Sequence, residues 1–114
     1  MAAKKVKLMI GGKPLREALE ERVPELVDLE KRYAAEYIRT TQEVMRDAMR
    51  NYFNVHGRWP QFVYIEPLKL SVDPQVAMRV TAIATDLPVP DRVQIVIYPG
   101  QLNRILEYYE IAIA

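Results

Sequence analysis

The sequence predicts a single α+β domain over residues 1–114: a short N-terminal strand, a short helix, one long helix and an antiparallel meander of about four strands. Apolar residues recur every three or four positions through residues 25–56, which is the spacing of an amphipathic helix. After Pro60 the apolar residues alternate instead, as in half-buried strands. We therefore expect a helical half, residues 14–56, and a β half, residues 61–113. A chain of 114 residues suits one hydrophobic core.

The N-terminal segment predicts a strand followed by a short helix. Residues 4–10 end in three apolar side chains and are followed by Gly11-Gly12, which ends the strand. Pro14 suits the first turn of a helix, where its missing N–H is not needed. The apolar face of this helix, residues 14–23, comprises Leu15, Ala18, Leu19 and Val23.

The long helix is predicted after Pro24, which either kinks the first helix or begins the second. Its apolar stripe comprises Leu26, Leu29, Tyr33, Tyr37, Thr41, Val44, Ala48 and Tyr52, widened by Val27, Ile38, Met45, Met49 and Phe53. The polar trio Thr40-Thr41-Gln42 is where we expect a break. Gly57 and Pro60 predict the end of the helix.

The predicted helix is longer than the domain that carries it. A helix over residues 24–55 is about 48 Å long, whereas a compact chain of this size is about 35 Å across. Self-association is the simplest way to cover its apolar face, because symmetric dimers are the commonest oligomers. The predicted interface comprises Tyr33, Tyr37, Val44, Met45, Tyr52 and Phe53. The alternative is an ordinary core face on a kinked helix.

The β half predicts four strands. Phe62–Ile65 is rich in β-formers, residues 68–72 alternate, and Asp73-Pro74 is a turn signal before the alternating residues 76–85. Residues 93–97 form the next strand. Residues 102–114 fit a helix or a strand, and aromatic and β-branched residues favour a strand from about Arg104.

The residues that carry most enzyme chemistry are scarce. The chain has no cysteine, which excludes disulfides, thiolate nucleophiles and iron–sulfur clusters. His56 is the only histidine and suits the C-terminal end of a helix, where the dipole favours it. Ser71 is the only serine and lacks the elbow motif of a catalytic triad. We expect no catalytic residue, no metal site and no cofactor, and therefore not an enzyme.

Nucleic-acid binding is the alternative function. The formal net charge is only +1, and Arg32, Arg39 and Arg50 have acidic residues three or four positions away, which predicts ion pairs along the helix. Residues that would contact phosphate or another ligand are Lys4, Lys5, Lys7, Arg58 and Trp59. Edge-strand protection explains the lysines equally well. For Trp59 we favour packing between the helix end and the first sheet strand, with Arg58 over its ring.

The favoured hypothesis is a non-catalytic assembly or interaction protein that acts as a homo-oligomer, a dimer or larger. A long helix, the turn Gly57-Arg58-Trp59-Pro60 and strands split by a proline loop are similar in pattern to phage-type capsid subunits, so one version is a virion or particle component. No apolar run is long enough for a membrane span or a signal peptide, so we expect a cytoplasmic or virion-associated protein. Eight prolines and one serine resemble the composition of heat-adapted proteins.

Overall fold

The computed structural model describes residues 8–10, 12–69, 73–98 and 111–113. These residues form helices and two small sheets, so the α+β class is confirmed. In chain order the elements are β1 (Met9–Ile10), β2 (Lys13–Pro14), α1 (Leu15–Arg22), α2 (Asp28–His56), β3 (Phe62–Ile65), α3 (Pro74–Ala84), β4 (Gln94–Ile97) and β5 (Ile111–Ile113).

The N-terminal elements follow the prediction in part: of the predicted strand over residues 4–10, Met9–Ile10 form β1 and residues 4–7 lie outside the described residues, whereas β2 at Lys13–Pro14 was not predicted. β1 and β2 pair antiparallel across a tight turn, in which Gly12 has a φ of 81°. α1 begins immediately after β2, and its apolar face is buried at Leu15, Ala18 and Leu19. The chain then turns through residues 23–27, so Pro24 lies between two helices.

The long helix α2 is continuous, and the predicted break at Thr40-Thr41-Gln42 is wrong. The trio is accommodated because its two buried members have partners inside the molecule. Thr41 hydrogen-bonds with the Tyr37 hydroxyl, and the Gln42 amide Nε2 donates to the Ala84 carbonyl at 3.2 Å. The helix ends as predicted at Gly57, whose φ of 71° is left-handed and whose N–H donates to the Phe53 carbonyl at 2.8 Å.

Two separate hydrophobic cores share α2. The 29-residue helix is about 43 Å long, comparable to the 41 Å and 39 Å extents of the molecule along its two longer principal axes. Its N-terminal half packs through Ala34 and Ile38 against α1 and α3. Its C-terminal half packs through Met45 and Met49 against the sheet. The helix is longer than one compact core, and its buried face is therefore divided between two cores.

The predicted strand over residues 76–85 is wrong, because these residues form α3. Asp73 is an N-cap whose carboxylate accepts a hydrogen bond from the Gln75 N–H at 2.9 Å, and Pro74 occupies the first turn. The buried side chains follow helical spacing: Val76, Ala77, Val80, Thr81, Ile83 and Ala84. Met78, which the alternating pattern made a core residue, is exposed.

The antiparallel meander is also wrong. In the three-stranded sheet β3 is central, and it pairs in parallel with both β4 and β5. Parallel neighbours require a crossover, and between β3 and β4 the crossover contains α3. Of the other predicted strands, Leu68 and Lys69 are not in a strand, residues 70–72 lie outside the described residues, and residues 102–114 are described only at 111–113, which form β5.

Ion pairs join α3 to the turn between α1 and α2. The Arg79 guanidinium donates to both carboxylate oxygens of Glu25, one of them at 3.1 Å, and to the Arg22 carbonyl at 3.4 Å. Arg22 in turn lies 3.5 Å from Asp86. The hydrogen bonds from Arg79 lower the pKa of Glu25, and Glu25 raises the pKa of Arg79.

Candidate interaction surfaces on the long helix

An open face of α2 carries large apolar side chains that neither core covers. Leu29 is 75% exposed, Tyr33 54%, Val44 43% and Val55 77%. Together with the residues that lie between them on the same side of the helix, they form one line along α2, which we call the open stripe. Its members are Leu29, Tyr33, Tyr37, Thr40, Val44, Ala48, Asn51 and Val55.

The open stripe is straight and carries no charge. Its members are spaced four, four and three residues apart, and this 11-residue period stays close to 3.6 residues per turn over the whole helix. From Leu29 to Val55 it is about 39 Å long. Glu36 and Asp47 border it on one side. An uncharged line of this length on an exposed helix is the kind of surface that a partner covers.

The predicted interface residues divide among three environments. Tyr33 and Val44 are exposed members of the open stripe, and Tyr37 is a half-buried one. Met45 is fully buried in the second core, so its side chain is not available to a partner. Tyr52 is half-buried against the same core, and Phe53 lies on another side of the helix. Sequence periodicity had merged the buried face and the open stripe into one.

Tyr37 links the open stripe to the first core. Burial raises the pKa of its hydroxyl, while hydrogen bonds with Thr81 and Thr41 act in the opposite direction. Thr81 is itself fully buried: its hydroxyl donates to the Ala77 carbonyl at 2.8 Å and accepts from the Leu68 N–H at 2.8 Å. The Tyr37 ring therefore packs against the first core and its hydroxyl is hydrogen-bonded, so only part of the side chain is exposed.

Aromatic rings gather at the C-terminal end of α2. The Tyr52 and His56 rings are 4.2 Å apart, and the Phe53 and Trp59 rings are 4.6 Å apart. The Arg58 guanidinium lies 5.3 Å from the centre of the Tyr52 ring, so the expected stacking on Trp59 is wrong. His56 is the last residue of the helix, as predicted. Exposed Trp59 packs on Phe53.

A basic groove, which sequence reasoning missed, lies between α1 and α2. It has a volume of about 300 Å³ and is lined by Leu15, Arg16, Leu19, Asp28, Lys31, Arg32, Ala35 and Arg39. The α2 positions Asp28, Arg32, Ala35 and Arg39 are spaced four, three and four residues apart and share one side of the helix. This spacing is the only signal of the groove in the sequence. It was overlooked because Arg32 and Arg39 were assigned to ion pairs along the helix.

Those predicted ion pairs do not form. Within the described part of the chain, no carboxylate oxygen lies within 4.0 Å of a side-chain nitrogen of Arg32, Arg39 or Arg50. Arginine placed before glutamate at this spacing is the weaker orientation of a helical ion pair. Arg16 does have a neighbour, the Glu20 carboxylate at 3.6 Å. The cations of the groove are therefore largely uncompensated.

The basic residues proposed at the N-terminus as phosphate contacts, Lys4, Lys5 and Lys7, lie outside the described residues. Over the ranges that the structure describes, His, Asp and Glu side chains form no group of three that suits a metal ion. Across the same ranges, no helix is long and apolar enough to span a membrane.

Comparison with protein-family models, with curated proteins and with solved structures finds no match to this chain. The surfaces of α2 are therefore the features from which we infer function.

Proposed function

We propose that the protein is a non-catalytic assembly protein that acts as a homo-oligomer, with a second copy of the chain covering the open stripe. The observation that carries this proposal is the exposure of Leu29, Tyr33, Val44 and Val55 along one uncharged side of α2. Burial of apolar surface contributes roughly 25 cal/mol per Å², and these side chains contribute it only when a partner covers them.

A second copy suits the stripe because its large and small residues are complementary about its midpoint. When two copies of α2 run antiparallel with a two-fold axis near residue 42, Tyr33 of one copy faces Asn51 of the other. In the same arrangement Leu29 faces Val55, and Tyr37 faces Ala48 within one residue. Each large side chain thus meets a smaller one, as close packing of helices requires.

The dimensions of the stripe support an interface of modest size. A strip about 39 Å long and about 10 Å wide gives about 400 Å² from each copy in projection. Specific interfaces bury at least about 1,000 Å² in total. The stripe supplies most of this area, and the charged residues along its border, Glu36 and Asp47, form a hydrated rim.

Substitution of Val44 tests the proposal. In size-exclusion chromatography with light scattering, we expect the wild type to be a dimer or larger and insensitive to salt. Val44→Glu places a charge in the middle of an apolar interface, so the variant should be monomeric at the same concentration. Because Val44 is exposed within the chain, the variant should keep its helical circular dichroism.

Arg46→Glu is the matched control, since Arg46 is exposed two residues away on the charged side of α2. It should leave the assembly unchanged. A wild type that is monomeric at every concentration, or a Val44→Glu variant that still assembles, would contradict the proposal.

A further inference from the structure

We propose that the basic groove between α1 and α2 binds a small organic anion that carries a diphosphate or an equally charged group on a body with an apolar or aromatic face. The groove is lined by four cations, Arg16, Lys31, Arg32 and Arg39, and by one carboxylate, Asp28; Arg16 is also paired with the Glu20 carboxylate at 3.6 Å. This site is separate from the open stripe and does not depend on the proposed assembly.

The cations of the groove are available to a ligand. Among the described residues, no carboxylate lies within 4.0 Å of the side-chain nitrogens of Lys31, Arg32 or Arg39. Each guanidinium presents a planar set of N–H donors that matches two oxygens of a phosphate group. Arg32 and Arg39 are seven residues apart, about 10 Å along the helix, and so suit an extended or doubly charged group.

The position of these cations on α2 makes an anion more favourable still. Lys31 and Arg32 lie in the first two turns of the helix, where the backbone dipole is positive and repels added positive charge. Asp28 offsets only part of this repulsion. A bound anion interacts favourably with the dipole and with the side chains together, which surface arginines at the other end of the helix cannot offer.

The floor of the groove indicates an organic ligand. Leu15 and Leu19 are almost fully buried, and together with Ala35 they form an apolar base beneath the charged rim. The volume of about 300 Å³ is at the lower end of the range for small-molecule sites. An apolar floor under a cationic rim recognises a molecule with one apolar and one anionic part.

The groove remains open when the stripe is covered. Its α2 members are offset from the nearest members of the open stripe by about 60° at Arg32 and by about 100° or more at Asp28, Ala35 and Arg39, since successive residues rotate by about 100°. Arg32 and Tyr33, although adjacent, therefore belong to different sides of the helix. A substitution in the groove should leave the oligomeric state unchanged, so the two proposals succeed or fail independently.

The test is isothermal titration calorimetry of the full chain with adenosine diphosphate, pyrophosphate and adenosine as probes. We expect adenosine diphosphate to bind most tightly, pyrophosphate to bind more weakly, and adenosine to show no binding. Arg32→Gln combined with Arg39→Gln should weaken binding of adenosine diphosphate at least tenfold, with unchanged circular dichroism. In a separate NMR titration with adenosine diphosphate, the largest changes in backbone amide chemical shift should lie at and around Leu19 and Ala35.

The control is Arg50→Gln, which removes one arginine charge from the same helix about 16 Å beyond Arg39. It should bind adenosine diphosphate as the wild type does. The proposal is overturned when neither adenosine diphosphate nor pyrophosphate binds at low salt, or when Arg50→Gln weakens binding as much as the double variant.

Discussion

At the scale of single residues, Gln42 is the most unusual side chain of the core. It is only 1% exposed and lies on α2 between the two cores. Its Nε2 donates to the Ala84 carbonyl at the end of α3, whereas its Oε1 is buried and has no hydrogen-bond partner among the described residues. An unpaired buried acceptor costs about as much as the neighbouring hydrogen bond contributes, roughly 1 kcal/mol or more.

Gln42→Met should therefore change the free energy of unfolding by less than about 1 kcal/mol, since the lost hydrogen bond is offset by removal of the unpaired oxygen. Gln42→Ala should cost at least about 2 kcal/mol, because it also leaves a cavity. Urea unfolding followed by circular dichroism measures both values. A Met variant that is as unstable as the Ala variant would show that the hydrogen bond to Ala84 dominates at this position.

At the scale of elements, the pairing of Arg79 with Glu25 connects α3 to the turn before α2. Its hydrogen bonds place the pKa of Glu25 below the ordinary value for glutamate, about 4.3. The unfolded chain therefore takes up this proton at a higher pH than the folded chain does. The contribution of the pair to stability is complete above the ordinary pKa and is lost as the pH falls through the lowered one.

Glu25→Gln should accordingly be slightly less stable than the wild type at neutral pH and should lose less stability on acidification below about pH 4.3. Thermal melts at a series of pH values compare the two chains. Glu17→Gln is the control, since Glu17 is an exposed carboxylate of α1 without an ion pair among the described residues. If the melting temperatures of wild type and Glu25→Gln fall equally as the pH is lowered, the pairing of Glu25 with Arg79 does not contribute to the pH dependence of stability.

The helices show how far sequence reasoning extends in this chain. The end of α2 is predictable because it depends on a single residue: Gly57 readily adopts the left-handed backbone conformation that ends a helix. α3 was missed because Asp73-Pro74 starts either a turn or a helix, and because its small apolar residues fit both periods. The parallel sheet was missed because strand direction depends on the crossover, which residues 62–65 and 94–97 do not encode locally.

The surfaces of α2 likewise depend partly on local sequence and partly on tertiary packing. Tyr33 and Val44 were predicted as interface residues, and they are exposed, but Met45 could be separated from them only by its position in the second core. The basic groove depends on α1 and α2 together. The spacing of Asp28, Arg32, Ala35 and Arg39 places them on one side of α2, but it does not show that α1 packs beside that side and forms a groove.

At the scale of the whole molecule, the proposed dimer has a defined direction. In the antiparallel arrangement centred near residue 42, spin labels at position 54 of the two copies are about 36 Å apart along the helix. In a parallel arrangement they are separated mainly by the distance between helix axes, about 10 Å, and the length of the labels. Asn54→Cys supplies a unique attachment site because the chain has no cysteine.

Pulsed electron-electron dipolar spectroscopy on Asn54→Cys measures this distance. A maximum near the longer value supports the antiparallel pairing of large with small residues. A maximum below about 20 Å contradicts that arrangement, since it requires the axes to run side by side in the same direction. Dilution with unlabelled chain is the control and should reduce the modulation depth without moving the maximum.

The single tryptophan gives the molecule a local optical reporter. Trp59 packs on Phe53 at one end of α2, whereas the basic groove ends at Arg39, about 21 Å along the helix from Phe53. Its fluorescence therefore responds to changes at the C-terminal end of the helix and is insensitive to a ligand in the groove. Excitation of Trp59 alone thus lets the unmodified chain report on the C-terminal end of its longest helix, because the chain has one tryptophan but seven tyrosines.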